Sequence, residues 1–397
     1  MISDRTKEKF AELETRVRSG TGRWLVLTHD SPDPDAIASA TILARLLRSR
    51  FKQKVTIAHG GIIGRAENKE MVRALHLELS RMRHINLKHY RRFALVDTQP
   101  RTGNNQLPDH VVPDLVFDHH FLRKATQSCP FFDVRRDYSA TASLVTEYLL
   151  AAGIEPTHRE ATAVVYAIRS ETLDFARDTL GPDRALYEHL LARADRRMLG
   201  RIQTPRLPVG YFTTLHEALE NLQTVDSLIL SHLGRIEQPD SVPELADLLL
   251  RLEGKTWSLV TGVFEDRIYC SIRTTNPRAE AAHVMRRMVG RRGKGGGHGM
   301  LAGGWVAAPD TPEAIARLQI ELGVKLARLL KKSSERISPL NVERAPATPA
   351  TATTGATTAQ ATAPAPAAAA TATKPSAKQP DEILAVALDV AEGPRSD

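Results

Sequence analysis

The sequence predicts a doubly wound, mainly parallel α/β sheet, followed by a second, smaller α/β domain. Three observations carry this. Short apolar runs alternate with longer amphipathic stretches through the first half of the chain. Unusual polar residues stand just after three of those runs, where such sheets gather ligands. Beyond about residue 200 the pattern changes to strands joined by a tight connection.

In order, residues 24–27, 55–57, 93–96 and 114–117 read as buried parallel strands, because they are almost continuously apolar. Residues 36–49, 67–80 and 143–152 show helical spacing of Leu, Ile, Met and Val. Residues 200–211 are rich in Pro, Gly and Arg and read as a connector. Residues 228–233, 257–264 and 267–273 then read as strands, with Glu265 and Asp266 as a hairpin connection between the last two. Helices are expected at 243–252 and 280–289. The second domain closes with Gly293-Lys294-Gly295-Gly296-Gly297-His298 and Ala302-Gly303-Gly304. The expected organisation is a first domain over 1–200, a connector over 201–224 and a second domain over 225–335. Residues 345–380, dominated by Ala, Thr and Pro, bury too little to offset their ordering entropy and are expected to be disordered. Residues 381–397 regain some helical spacing, enough for a short terminal helix. There is no internal repeat.

The chain has 397 residues, 42% hydrophobic and 25% charged, as in soluble globular proteins. No apolar stretch reaches the roughly 18 residues that span a bilayer, and Met1-Ile2-Ser3-Asp4-Arg5 leads into a charged stretch without a signal-peptide core. Cys129 and Cys270 stand far apart in no spacing motif, which suggests reduced thiols and a cytoplasmic location. The net charge of +8 favours an anionic partner such as a nucleotide or nucleic acid. Nothing reads as a separate duplex-binding module, which suits a short nucleotide. A homodimer is compatible with the sequence.

Three strand ends deliver metal-type ligands. After the first strand come His29, Asp33 and Asp35. Crowding two carboxylates there costs stability unless a cation compensates, and Pro32 and Pro34 restrict where they point. The competing reading is a solvated turn whose Asp caps the next helix. Asp97, alone at its strand end, is the natural bridge between two ions; otherwise it merely starts a turn. In Asp118-His119-His120, adjacent side chains leave a strand in opposite directions, so one histidine can bind metal while the other faces substrate or a supporting partner. Oxygen-rich sites with one imidazole per metal suit Mn²⁺ or Mg²⁺, and two such ions together activate a water and neutralise phosphate. Further along, Gly295, Gly296 and Gly297 allow close backbone approach and can offer amides to phosphate. His298 and Arg273 beside them suggest a phosphate or nucleobase pocket. Arg291, Arg292 and Lys294 read equally as part of it or as a solvated basic surface. Arg65 and Asn68 read equally as cleft lining or as a strand-to-helix turn, and residues 138–143 as a helix start.

Taken together, His-x-x-Pro-Asp-x-Asp at 29–35, the lone Asp97 and Asp118-His119-His120 resemble the DHH phosphoesterase family. Ser271-Ile272-Arg273 and Gly295-Gly296-Gly297-His298 are similar to its companion DHHA1 domain. The resemblance covers roughly residues 20–330, and the domain pair is similar to bacterial nano-RNases that also dephosphorylate 3′-phosphoadenosine 5′-phosphate. It implies two Mn²⁺ ions, with Mg²⁺ as the alternative. One would be held by His29, Asp33 and Asp97, the other by Asp35, Asp97, His119 and a carboxylate from a fourth motif. His120 would face the scissile phosphate, with Arg273, Gly295, Gly296, Gly297 and His298 binding substrate. The fourth motif departs from the family pattern: in Ala167-Ile168-Arg169-Ser170-Glu171-Thr172, Glu171 stands where the family has Asp. The extra methylene moves the carboxylate by roughly an ångström, whereas ligand distances tolerate about 0.2 Å. Asp174, near the same helical face, is the alternative ligand. The expected function is hydrolysis of short oligoribonucleotides, 3′-phosphoadenosine 5′-phosphate or both. Cyclic dinucleotide or pyrophosphate hydrolysis, and nucleotide binding without turnover, are the alternatives.

Overall fold

A computed structural model describes residues 2–176 and 181–340; the expected tail (345–380) and terminal helix (381–397) lie outside the described residues. In chain order the elements are α1 (Asp4–Arg18), β1 (Trp24–Leu27), α2 (Pro34–Ser49), β2 (Val55–His59), α3 (Ala66–Ala74), β3 (Ser80–Arg81), β4 (Arg92–Val96), β5 (Leu115–Asp118), β6 (Phe131–Val134), α4 (Thr141–Ala151), α5 (His158–Thr172), α6 (Gly181–Leu191), α7 (Arg196–Gln203), α8 (Val209–Glu220), β7 (Leu222–Val225), β8 (Leu228–Arg235), α9 (Ser241–Leu249), β9 (Trp257–Phe264), β10 (Arg267–Thr274), α10 (Ala281–Val289), β11 (Gly293–His298), β12 (Leu301–Ala307), α11 (Pro312–Leu329) and β13 (Ser338–Pro339).

Six parallel strands form the first sheet, in the order β3-β2-β1-β4-β5-β6. The strand order reverses between β1 and β4, and at such a switch point loops diverge and leave a crevice. Both faces of the sheet are covered, as its apolar strands require. One face packs Trp24, Val26, Ala94, Val96, Leu115 and Phe117 against residues of α1, α2, α4 and α5. The other face, with Leu25, Leu27, Leu95 and Val116, is covered by short 3₁₀ turns and loops that contribute Met82, Leu107 and Cys129.

The second sheet has the order β11-β12-β10-β9-β8-β7-β13 and is antiparallel except for the β8–β9 pair. Phe264 pairs with Arg267, so Glu265 and Asp266 form the two-residue hairpin, with Glu265 in the left-handed region at φ 52°. Along β10, Ile268, Cys270 and Ile272 point into a core shared with Met285 and Met288 of α10 and Leu322 and Leu326 of α11. α9 covers part of the opposite face through Val242, Leu245 and Ala246.

Two local readings change and one unassigned stretch gains an element. The helix expected over 67–80 stops at Ala74, because Leu75, Leu77 and Leu79 alternate into the core at a two-residue period before β3. The stretch read as a connector at 200–211 instead ends α7 and begins α8, leaving only 204–208 between them; Pro208 is the N-cap of α8 rather than a breaker. The glycine run over 293–298, for which the sequence pattern predicts no element, forms strand β11, paired with β12.

Candidate metal centre

The ligand-type residues converge at the carboxyl ends of β1, β4 and β5. After β1, Asp33 caps α2 by accepting a 3.0 Å bond from Ala36 N, with Pro34 in the first turn, where its missing N–H costs nothing. The capping and ligand readings of this loop therefore coexist. Asp97 leaves β4 in the left-handed conformation, φ 57°, which Asp tolerates better than most residues and which turns its carboxylate off the strand line. Its N–H donates to Phe117 O at 2.9 Å, tying this turn to β5.

His29 Nε2 lies 3.4 Å from Asp97 Oδ2 and 3.8 Å from Asp33 Oδ1. His119 Nε2 lies 3.6 Å from Asp97 Oδ1 and 3.9 Å from Asp35 Oδ2. Two groups of side chains have ligand atoms within 4.8 Å of one another: His29, Asp33 and Asp97, and Asp97, His119 and His120. Asp97 is common to both. Both imidazoles are oriented from behind: His29 Nδ1 is 3.0 Å from Asp30 O and His119 Nδ1 is 3.4 Å from Tyr138 O. Assigning the proton to Nδ1 on the strength of these carbonyls leaves Nε2 of each as a lone-pair donor facing Asp97.

Asp118 is buried and does not face the cluster directly. It accepts from His119 N at 2.9 Å, His120 Nδ1 at 2.8 Å and Gln99 Nε2 at 2.5 Å. Gln99 is itself held by Arg123 N and Thr126 Oγ1, each at 2.7 Å. Sequence reasoning had no signal for this support.

Asp35 is fully buried, and its two oxygens accept from Thr141 N and Ala142 N at 2.7 Å each. It thus caps α4, whose own N-cap position is Ala140. Oδ1 also accepts from Ser39 Oγ at 3.4 Å, so the spare lone pair, and with it the ligand capacity, is on Oδ2, the oxygen nearer His119. Thr141 Oγ1 donates to Asp97 Oδ1 at 2.9 Å, a role beyond starting a helix. Glu171, half-buried in the last turn of α5, stands close enough that its charge raises the pKa of both Asp35 and His120. Asp174 is turned to Arg169 and is largely exposed.

Burial, followed by repulsion from Asp97, Glu171 and Asp33, pushes the Asp35 carboxyl well above its ordinary range. Burial opposes charge on His29, but hydrogen bonds to Asp33 and Asp97 overcome it and raise its pKa. Burial likewise opposes charge on His120, yet Asp118, Asp97 and Glu171 raise it to about 9. The carboxylates of this cluster repel one another while the Nε2 atoms of His29 and His119 face Asp97 between them, and a divalent cation fits such a set.

Beside the centre, a cleft of about 790 Å³ is lined from the first sheet by Asp30, Ser31, Gly60 and Arg81, and from the second by Arg273 and Gly297. Arg273 is buried and bonded to Asp247 at 2.6 Å; Arg65 pairs with the same Asp247 at 3.4 Å. Asn68 is buried against Pro32 O rather than lining the cleft. In β11, a Cβ on Gly295 would meet Met285 at 2.7 Å, so this glycine serves strand–helix packing, whereas Gly296 has open space above it. Gly297, φ +137°, comes within 2.2 Å of Leu301 O by the same measure. His298 pairs with Leu301 at the end of the strand; its side chain lies outside what the structure describes.

The model of the DHH family, N-terminal domain, matches residues 23–168, and that of the DHHA1 domain matches residues 226–323. The chain belongs to the DHH family and carries its companion DHHA1 domain. Over 294 residues this DHH protein is 34% identical to the uncharacterized protein MJ1633 of Methanocaldococcus jannaschii. That alignment spans 74% of this chain and 59% of the relative, so less than two thirds of the relative's length is matched. The structure is similar to an exopolyphosphatase-related protein from Bacteroides fragilis, with a TM-score of 0.63 at 16% identity, covering 83% of this chain and 99% of that one. At that identity the likeness shows the fold alone. Among the described residues, no helix is long and apolar enough to cross a membrane.

Proposed function

We propose that this DHH protein is a two-metal phosphoesterase acting on short oligoribonucleotides, 3′-phosphoadenosine 5′-phosphate or both. The observation that carries the reading is the sharing of Asp97 between two ligand groups. His29, Asp33 and Asp97 would hold one ion. Asp97 and His119, with Asp35 and Glu171 beside them, would hold the other. Bound Mn²⁺ or Mg²⁺ would supply Lewis acidity, acidifying a water and neutralising phosphate oxygens.

The chain's own residues do the rest. Asp118 fixes the His120 ring through Nδ1 and favours its cationic form. At 47% side-chain exposure, His120 is the most open member of its group, placed to donate to a phosphate oxygen. Thr141 and the α4 amides hold Asp97 and Asp35 in place. Arg273 and the Gly295–Gly297 strand with His298 would bind the nucleotide.

The test is purified full chain with Mn²⁺ against a dinucleotide, 3′-phosphoadenosine 5′-phosphate, cyclic di-AMP and pyrophosphate. Turnover of one of the first two, abolished in Asp97→Ala, is the expected result. Turnover of cyclic di-AMP or pyrophosphate alone moves the substrate assignment, and turnover of none removes the enzymatic reading. A second reading rests on Glu171, whose longer arm replaces the family's Asp: nucleotide binding without hydrolysis, with one ion or none per chain.

A further inference from the structure

The face of the second sheet that lines the cleft is built in rows. Sheet register places Tyr269 beside Trp305 and Trp305 beside Lys294; the next row is Ser271, Gly303 and Gly296; the next is Arg273 and Leu301. Alternate residues, Ile268, Cys270, Ile272, Ala302 and Val306, point into the core on the other side. A Cβ at Gly303 or Gly296 would meet nothing within 4 Å. The middle row is therefore a flat strip, walled on one side by the Tyr269–Trp305 pair.

Two independent observations give this strip a ligand. The first is aromatic. Trp305 is half-buried, lines the cleft and carries the Arg267 guanidinium 4.1 Å from its ring centroid. An aromatic ring stiffened by an arginine is the platform on which nucleobases stack. The second is polar. Ser271 Oγ and one oxygen of Asp30 are buried without a hydrogen-bond partner among the described residues, and both residues line this cleft. Ser271 is only 2% exposed. Unsatisfied acceptors and hydroxyls gathered on one cleft suit the amino edge of a base. Arg81 and Arg83 add positive charge to the same lining.

We propose that Trp305 forms a base-stacking subsite for a second nucleotide, whose backbone runs toward the metal centre past Ser31. Of the substrates named above, the subsite favours an oligonucleotide of at least two residues, and it gives pyrophosphate nothing to stack. This rests on the phosphoesterase reading above for its chemistry, but the subsite is a binding claim and is tested as one.

Calorimetry in Mn²⁺ would compare wild type, Trp305→Ala and Trp305→Phe, titrated with a slowly hydrolysed phosphorothioate-linked diadenylate and with pyrophosphate. Trp305→Ala is expected to raise the diadenylate Kd roughly tenfold, the size of one lost base–aromatic stack, with pyrophosphate binding unchanged. Trp305→Phe keeps a π face and should recover most of the loss. Thermal unfolding of each variant checks the fold, and Trp305→Leu, which keeps bulk without the π face, replaces the alanine variant if that unfolds. Equal weakening of both ligands, or of neither, overturns the subsite. Trp305-dependent diadenylate binding without turnover of any phosphoester would keep the subsite and remove the phosphoesterase reading. Turnover with a silent Trp305→Ala would do the reverse.

Discussion

Thr141→Val isolates a single hydrogen bond in the centre. Thr141 is fully buried at the start of α4, and its hydroxyl donates to Asp97 Oδ1 at 2.9 Å while its N–H donates to Asp35 Oδ2 at 2.7 Å. Valine keeps the shape and the N–H and removes only the hydroxyl. Asp97 is 3% exposed, so water cannot readily replace the lost donor. A hydrogen bond to a charged acceptor contributes about 1.5–3 kcal/mol, which is roughly ten- to hundred-fold in an equilibrium constant. The range agrees with the usual effect of removing a group that orients a metal ligand. Because Asp97 is shared by both ligand groups, both ions should feel the change. In a calorimetric Mn²⁺ titration, the variant should bind roughly ten- to hundred-fold more weakly, and activity should return largely at high Mn²⁺. Thr141→Ser, which restores the hydroxyl, should behave like wild type. Mn²⁺ affinity within twofold of wild type in a folded Thr141→Val protein would refute the role given to Thr141.

Divalent ions should stabilise the fold: at a hundred times Kd the gain is about 2.7 kcal/mol, seen as a rise in Tm with Mn²⁺ that EDTA reverses, and an unchanged Tm would count against a metal site. The pH dependence of the metal-free protein follows from His29 and His120, whose folded pKa values lie above 6.5, that of His120 at about 9. Raised histidines stabilise fully below the unfolded value and lose that contribution as pH climbs to the folded one. Tm in EDTA should therefore decline from about pH 6.5 to 9, whereas saturating Mn²⁺, which needs neutral imidazole, should flatten the decline; parallel curves would contradict the assignment. In β11, Gly297→Ala should lower Tm by adding a side chain at φ +137° against Leu301 O, a strain on the order of 1–3 kcal/mol. Gly296→Ala meets open space and should leave Tm unchanged; equal losses in a melting comparison would mean that the glycines do not differ as the register says.

Four of the six parallel strands were legible because they are buried enough to be written as nearly unbroken apolar runs; β3 and β6, half-exposed, were not read. The ligands were legible for a related reason: polar residues directly after such runs must sit at strand ends. What the sequence hid depends on contacts between distant residues. Residues 138–143 show a helix start, but Asp35, over a hundred residues earlier, supplies the cap, and that frees the Thr141 hydroxyl for Asp97. The glycines of β11 carried no strand signal, because a glycine run has no side-chain alternation; their strand becomes intelligible only with Met285 packed above Gly295. Trp305 carried no local signal, since only the pairing of β10, β12 and β11 sets it beside Tyr269 and Lys294. Around Pro205 and Pro208, punctuation outweighed periodicity in the reading, and α8 was missed.

Asp35 concentrates the conflict that makes a cation necessary. The α4 amides favour its charged form, while burial and the charges of Asp97, Glu171 and Asp33 oppose it more strongly, so the net shift is upward. A site built only for stability would replace one of these carboxylates with a neutral group. Keeping them all in a dry pocket makes sense when a positive charge completes the set. Glu171 belongs to the same balance, because its charge reaches both Asp35 and His120. Directly beyond α5 the backbone turns through three successive left-handed residues, Leu173, Asp174 and Phe175, at φ 49°, 54° and 66°. Such conformations cost free energy in non-glycine residues and persist where surrounding structure imposes them. An abrupt helix end directly after Glu171 is what a longer carboxylate needs if its helix must stand further back from the ions. On that argument, Glu171→Asp would shorten the arm without moving the helix, and restoring the family's residue would weaken the second ion rather than strengthen it.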